Sequence, residues 1–106
     1  MIPEVDVKIL ENKFKNKENF ILLDVRTDRE YFLSSIEGSL HMPMNTIAEK
    51  YTSLDKDKEI IVQCKSGVRS AKVCEFLLSN DFRNVKNLTG GIVEWAKQID
   101  STIIIY

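Results

Sequence analysis

Two uninterrupted apolar runs mark the clearest strands of this chain, Phe20-Ile21-Leu22-Leu23-Asp24-Val25 and Glu59-Ile60-Ile61-Val62-Gln63. Runs of this kind, apolar at nearly every position rather than at every second one, suit parallel strands covered on both faces. Val85-Lys86-Asn87-Leu88 and Ser39-Leu40-His41-Met42, which precedes Pro43, are shorter candidates. Between them the apolar positions fall at helical spacing. Asp6 is placed to cap a helix that carries Val7, Ile9, Leu10 and Phe14. Thr27 followed by Glu30 has the form of a capping box and opens a helix through Leu33. Asn45 or Thr46 starts another through Tyr51. Ser70 to Ser79 sets Ala71, Cys74, Leu77 and Leu78 on one stripe, and Gly90-Gly91 precedes a last helix through Lys97. Strands alternating with helices predict an α/β fold, with a central, mostly parallel sheet flanked by helices on both faces. No repeat, low-complexity segment or linker interrupts the pattern.

Composition narrows the classes of function. The 106 residues fit a single domain over 1–106, and 43% hydrophobic with 29% charged residues is the balance of a globular chain. Fifteen Lys and Arg stand against sixteen Asp and Glu, a formal charge of -1, so neither a nucleic acid nor a membrane surface is the expected partner. The longest apolar runs are far too short to span a bilayer. The N-terminal Met1-Ile2-Pro3-Glu4-Val5-Asp6 has neither the basic nor the apolar region of a secretory leader, which makes the cytoplasm the expected location. Two cysteines, Cys64 and Cys74, are too few for a disulfide framework, and with His41 as the sole histidine no metal site is expected.

Candidate chemistry concentrates in Ile60-Ile61-Val62-Gln63-Cys64-Lys65-Ser66-Gly67-Val68-Arg69-Ser70-Ala71-Lys72. A buried strand there runs into a short polar loop that feeds a helix, and ligands of open parallel sheets bind at the carboxyl ends of the strands. Backbone N–H groups leading into a helix N-terminus form a cradle for an anion. A Cys64 thiolate in that cradle gains from the helix dipole and from Lys65 and Arg69, so its pKa should fall below that of a free thiol. Gly67 gives the loop the freedom to fold around its own sulfur.

The motifs Asp24-Val25-Arg26 with Glu30-Tyr31, then Ile36, Gly38-Ser39-Leu40 and Met42-Pro43, then Cys64-Lys65-Ser66-Gly67-Val68-Arg69-Ser70, then Asn87-Leu88 with Gly90-Gly91-Ile92 and Trp95, closely resemble the rhodanese-like domain. They run from about Val7 to the C-terminus in that family's order and spacing. The resemblance implies a small α/β domain in which Cys64 carries a persulfide during sulfur transfer, with no metal or organic cofactor. It gives Lys65, Ser66, Gly67, Val68 and Arg69 as the substrate-binding loop, and Asp24, Arg26 and Ser70 as supporting residues. Where many members read Gly-His-Ile-Pro-Gly-Ala, this chain has Ser34-Ser35-Ile36-Glu37-Gly38-Ser39. That form, together with Trp95 to Asp100 and the terminal Tyr106, is similar to rhodanese domains fused behind E1-like adenylating enzymes. The chain would then be either free-standing or the C-terminal domain of a longer protein. Implied partners are a small anionic sulfur donor such as thiosulfate, or a cysteine desulfurase. On the acceptor side stand a thiophilic nucleophile or, beside an E1-like domain, the activated C-terminus of a ubiquitin-like sulfur carrier. Two rivals are a free-standing thiosulfate sulfurtransferase and a catalytically idle docking or regulatory module.

Protein tyrosine phosphatases also set a Cys before an Arg in an anion-binding loop, with five residues between. Here four intervene, Lys65, Ser66, Gly67 and Val68, and the shorter loop is sized for a terminal sulfur rather than a tetrahedral phosphate. For Asp24 and Arg26 two readings stay open: bracing of the active loop, or a strand-end Asp beside a surface Arg that pairs with Glu30. His41 reads as a half-exposed structural residue, Cys74 as a core thiol on the stripe with Leu77 and Leu78, and Trp95 with Ile92 as a helix face packed on the sheet.

Overall fold

The two apolar runs become the middle of a five-stranded, wholly parallel sheet in the order β1-β5-β4-β2-β3. The computed structural model describes residues 1–105, so the resemblance drawn on Tyr106 lies outside the described residues. The strands are β1 (Glu4–Val5), β2 (Phe20–Asp24), β3 (Ser39–His41), β4 (Glu59–Gln63) and β5 (Val85–Leu88). The helices are α1 (Val7–Lys15), α2 (Asp28–Leu33), α3 (Ile47–Lys50), α4 (Val68–Ser79) and α5 (Gly91–Gln98). Both sheet faces are covered, as the unbroken apolar strands require. Leu22, Ile61 and Leu88 face Val7 and Leu10 of α1 and Ile92 and Trp95 of α5. Leu23, Ile60, Val62 and Val85 face Ile47 of α3 and Val73, Cys74 and Leu77 of α4.

Several caps form as their residues dictate. Asp6 accepts the Ile9 N–H at 2.8 Å, and Thr27 and Glu30 close a reciprocal capping box at the start of α2. The helix expected from Asn45 or Thr46 through Tyr51 is instead α3 between two 3-10 turns, Met44–Thr46 and Tyr51–Ser53. Ile47 is the one buried residue of α3, too little apolar stripe to hold a longer helix on the sheet. Helix α4 starts at Val68, two residues before the expected Ser70. Strand β1 was not expected at all. At two residues it carries no periodicity, and it exists because β5 offers an edge: the Asn87 N–H donates to the Pro3 carbonyl and the Thr89 N–H to the Val5 carbonyl, each at 2.9 Å.

The order of strands places the site. After β2 the chain moves to one side of the sheet to make β3, then returns to the other side for β4 and β5. The reversal lies between β2 and β4, and ligands of open α/β sheets bind outside the carboxyl ends of strands at such a point. The register pairs Asp24 with Gln63, so β2 and β4 end level and release Val25 and Cys64 side by side.

Candidate active site

Cys64 leaves β4 and its sulfur turns back toward the start of α4. The N-cap of that helix is Gly67, which has no side chain to cap with and adopts φ +108°, a conformation that strains any residue bearing a Cβ. The sulfur takes the vacant role. It accepts the Gly67 N–H at 3.1 Å and the Ser70 N–H, three residues into the helix, at 3.4 Å. A capping oxygen would take this same N–H, which explains why α4 begins two residues early. The Ser70 hydroxyl lies 3.3 Å from the sulfur on another side.

A second helix N-terminus fixes the other side of the loop. At the start of α5 the Ile92 N–H donates to the Cys64 carbonyl at 2.9 Å and the Val93 N–H to the Lys65 carbonyl at 3.2 Å. With both carbonyls held by α5, the N–H groups of the loop are left to face the sulfur. Gly91 makes this approach possible, since a Cβ there would sit inside the carbonyls of Cys64 and Lys65. One loop is thus shared between two helix N-termini, one aimed at the sulfur and one at the backbone oxygens behind it.

The electrostatics follow. Burial, with Cys64 only 1% exposed, pushes its thiol up, but the hydrogen bond shared with the Ser70 side chain and those from the Ser70, Gly67 and Ser66 backbone outweigh it and hold the pKa below the ordinary thiol value. Cys74, also buried, meets no such donors among the described residues. Burial first, then the charges of Cys64 and Glu75, push it up to about 12.

The flanking charges are distributed unlike the surface alternative weighed for Arg26. Arg26 is buried against Asp24, with Nε 3.0 Å from Oδ1 and Nη2 2.7 Å from Oδ2, and Nη2 also donates to the Ser34 carbonyl at 2.7 Å. This ties the end of β2 to the end of α2. Removing one partner of such a buried pair typically costs about 3–5 kcal/mol. Glu30 is instead the partner of Arg69, which it holds by two bonds of 2.6 and 2.9 Å. That pair draws the Glu30 carboxyl down to about 2, against a smaller opposing effect of burial. Lys65 lines a small cleft with Arg26, Glu30, Ser34, Ile92 and Ile105, while Val68 is exposed on the loop's outer side. A larger groove of about 600 Å³ on the Arg69 side is lined by Val25, Thr27, Asp28, Pro43, Met44 and Asn45.

The sequence-derived candidates therefore gather at one edge of the sheet, with Cys64, Gly67 and Ser70 in mutual contact and the Asp24–Arg26 pair at the end of β2 beside them. His41 donates its Nε2–H to the Arg26 carbonyl, 2.8 Å away, and stacks on Tyr31. Three residues were not foreseen: Gly91 beneath the loop, Glu30 as the partner of Arg69, and Asn87. The Asn87 amide lies 2.6 Å from the Ser70 hydroxyl and 3.1 Å from the Gly67 carbonyl. Its one sequence signal is a polar residue on a strand face that is otherwise apolar, in line with Val85. Among the described residues no group of three or more His, Cys, Asp or Glu side chains could hold a metal ion, and no helix is long and apolar enough to cross a membrane.

Comparison with known proteins identifies the family. A protein named sulfurtransferase from Allochromatium vinosum is 33% identical over 97 residues, which cover 92% of this chain and 91% of that one. YtwF of Bacillus subtilis is 39% identical over 94 residues, 89% of this chain and 90% of the relative. The crystal structure of a rhodanese-like domain protein from Staphylococcus aureus superposes with a TM-score of 0.86 at 31% identity, covering 99% of both chains. The description of the rhodanese-like domain matches residues 6–98, and the chain belongs to that family.

Proposed function

We propose that this protein is a sulfurtransferase that carries a sulfane sulfur as a persulfide on Cys64. The observation that carries the reading is the set of donors converging on that sulfur from Gly67 and Ser70. It favours a thiolate before the reaction and an anionic sulfur after it. The Cys64 thiolate attacks the outer sulfur of a donor. With thiosulfate, the new S–S bond forms as the bond between the sulfane sulfur and the sulfonate sulfur breaks, and its electron pair leaves with sulfite. The product is a Cys64 persulfide anion. An acceptor nucleophile, such as cyanide or a thiolate, then bonds to the outer sulfur and returns the Cys64 thiolate. This is covalent catalysis in ping-pong order. No metal or organic cofactor takes part in these steps. Lys65 to Arg69 form the loop that meets the donor, and Asp24, Arg26 and Ser70 support it.

The acceptor class includes the activated carboxylate of a ubiquitin-like carrier: the outer sulfur of the persulfide attacks the acyl-adenylate, and AMP leaves. A thiol reductant, itself oxidised to a disulfide, then cleaves the S–S bond of the acyl disulfide to give the carrier thiocarboxylate and the Cys64 thiolate. The four-residue spacing between Cys64 and Arg69 supports sulfur over phosphate as the group carried.

The test is mass spectrometry of the intact chain after exposure to thiosulfate. The wild-type protein is expected to gain one sulfur on Cys64, lose it to cyanide, and show no gain as Cys64→Ser. A persulfide found on Cys74 instead, or hydrolysis of aryl phosphates outpacing sulfur transfer, would overturn the reading. Adding an adenylating enzyme, its carrier and ATP resolves the acceptor, since a carrier that gains sulfur in place of oxygen identifies the carboxylate route.

A further inference from the structure

Asn87 is an asparagine buried on a sheet face otherwise made of Ile60, Val62 and Val85, and both ends of its amide are engaged. The orientation of that amide follows from its partners. The Gly67 carbonyl can only accept, so the amide nitrogen faces it, and the amide oxygen faces Ser70. Because the amide oxygen can only accept, the Ser70 hydroxyl must donate to it. A hydroxyl has one proton. Once it is given to Asn87, what Ser70 turns toward the sulfur 3.3 Å away is a lone pair, which suits a thiol that donates and repels a thiolate. The chain of donors therefore runs from Cys64 through Ser70 to Asn87 when the sulfur is protonated. For the Ser70 hydroxyl to donate to a thiolate it must turn away from Asn87 and leave that buried oxygen unpaired, which costs free energy.

We infer that Asn87 is a positioning residue for Cys64, which competes with the sulfur for the single Ser70 proton and thereby limits how readily the thiolate forms. In catalytic terms this tempers the cradle. The backbone donors from Gly67 and Ser70 favour the anion, while Asn87 withholds the one side-chain donor until the sulfur's charge is sufficient to reclaim it. The other ionisable groups around the sulfur are Arg69 and Cys74 on α4, Lys65 on the loop and the Asp24–Arg26 pair on β2. Arg69 is committed to Glu30, Arg26 to Asp24, and Cys74 stays protonated. From β5 and from the start of α5, Asn87 is the polar side chain that reaches this network among the described residues.

This inference deepens the reading of Cys64 as the sulfur-carrying thiol, yet its test measures ionisation, so either can fail while the other stands. The experiment is a double-mutant cycle read by the pH dependence of iodoacetamide alkylation at Cys64, quantified on its peptide. Asn87→Leu keeps the side-chain shape without an acceptor, and the Gly67 carbonyl still receives the Ala71 N–H of α4 at 3.2 Å. The midpoint for Cys64 is expected to fall by about half a unit or more, roughly a threefold rise in thiolate at lower pH. In a Ser70→Ala background the same substitution is expected to leave the midpoint in place. No shift, an upward shift, or equal shifts in both backgrounds would overturn the proposal. Should Asn87→Leu not fold, the Raman S–H stretch of the wild-type protein at pH 5 decides, with the Cys74 band assigned by Cys74→Ala. A Cys64 band at the lower frequency of a donating thiol supports the relay, and a band at the frequency of a non-donating thiol refutes it.

Discussion

Cys64 and Cys74 are both buried in the same apolar cluster, and their thiols are driven in opposite directions. The difference lies in the donors: sulfur at a helix N-terminus meets N–H groups, whereas sulfur about two turns into that helix meets side-chain carbon. Alkylation of the native protein between pH 7 and 8 is therefore expected to modify Cys64 and spare Cys74, with the Cys64 rate titrating below the ordinary thiol value. Equal labelling of the two, read by peptide mass spectrometry, would contradict the cradle. Glu30 makes a second prediction at this scale. Its folded pKa of about 2 lies below the usual carboxylate value of 4.5, so the stability it contributes is present above pH 4.5 and lost as pH falls through about 2. Glu30→Gln should accordingly lower the thermal midpoint near neutrality and flatten its decline between pH 4.5 and 2. A variant that retains the wild-type acid profile would show that the Arg69 pair contributes nothing. Because Glu30 already occupies Arg69, Glu30→Gln is also expected to lower the KM for thiosulfate several-fold in steady-state assays, by releasing a cation to a dianionic donor. An unchanged KM would remove Arg69 from donor binding.

Among the elements, the close packing of α5 on the loop is the least forgiving contact. Gly91→Ala would drive a Cβ into two carbonyls at a φ of +56°. Overpacking and a left-handed backbone together make a loss of about 2–5 kcal/mol the expected outcome in urea denaturation. A loss below about 1 kcal/mol would mean that the loop yields easily. These contacts also mark where the sequence stops being informative. Strands β2 and β4 and the capped helices α1 and α2 were legible because burial on both faces and side-chain capping are written in local residue types. The start of α4 was not, since its cap is a sulfur and belongs to a residue that also reads as the end of a strand. Nor was the exchange of partners between Arg26 and Arg69. Arg26 has Asp24, Asp28 and Glu30 close in sequence, whereas Arg69 has no carboxylate within five positions. Only the burial of Asp24 at the end of β2 decides that Arg26 pairs with it. Asn87 showed only as a polar residue on an apolar strand face, and its role was not legible because its partners, Ser70 and Gly67, lie far from it in sequence.

At the scale of the whole molecule, the radius of gyration of 12.7 Å is near the ~13 Å usual for a chain of this length. That compactness is reached in part by joining β1 to β5, elements far apart in the sequence. Thr89 bonds the Val5 carbonyl across 84 positions of sequence, and among the described residues β1 pairs in the sheet with β5 alone. Contacts so distant along the chain form late, because the loop between them must first be closed. During synthesis β1 emerges long before its partner exists, and the sulfur at position 64 leaves the ribosome before β5 and before α5, whose N–H groups hold the loop carbonyls. A nascent Cys64 is therefore an ordinary thiol, and its reactivity arrives with the last quarter of the chain. Refolding from denaturant with pulses of alkylating reagent should record that delay: the depressed titration of Cys64 is expected to appear together with hydrogen-exchange protection of the Thr89 amide. If it appeared in an earlier phase, with α4 alone, the cradle would be the property of one helix rather than of the closed sheet.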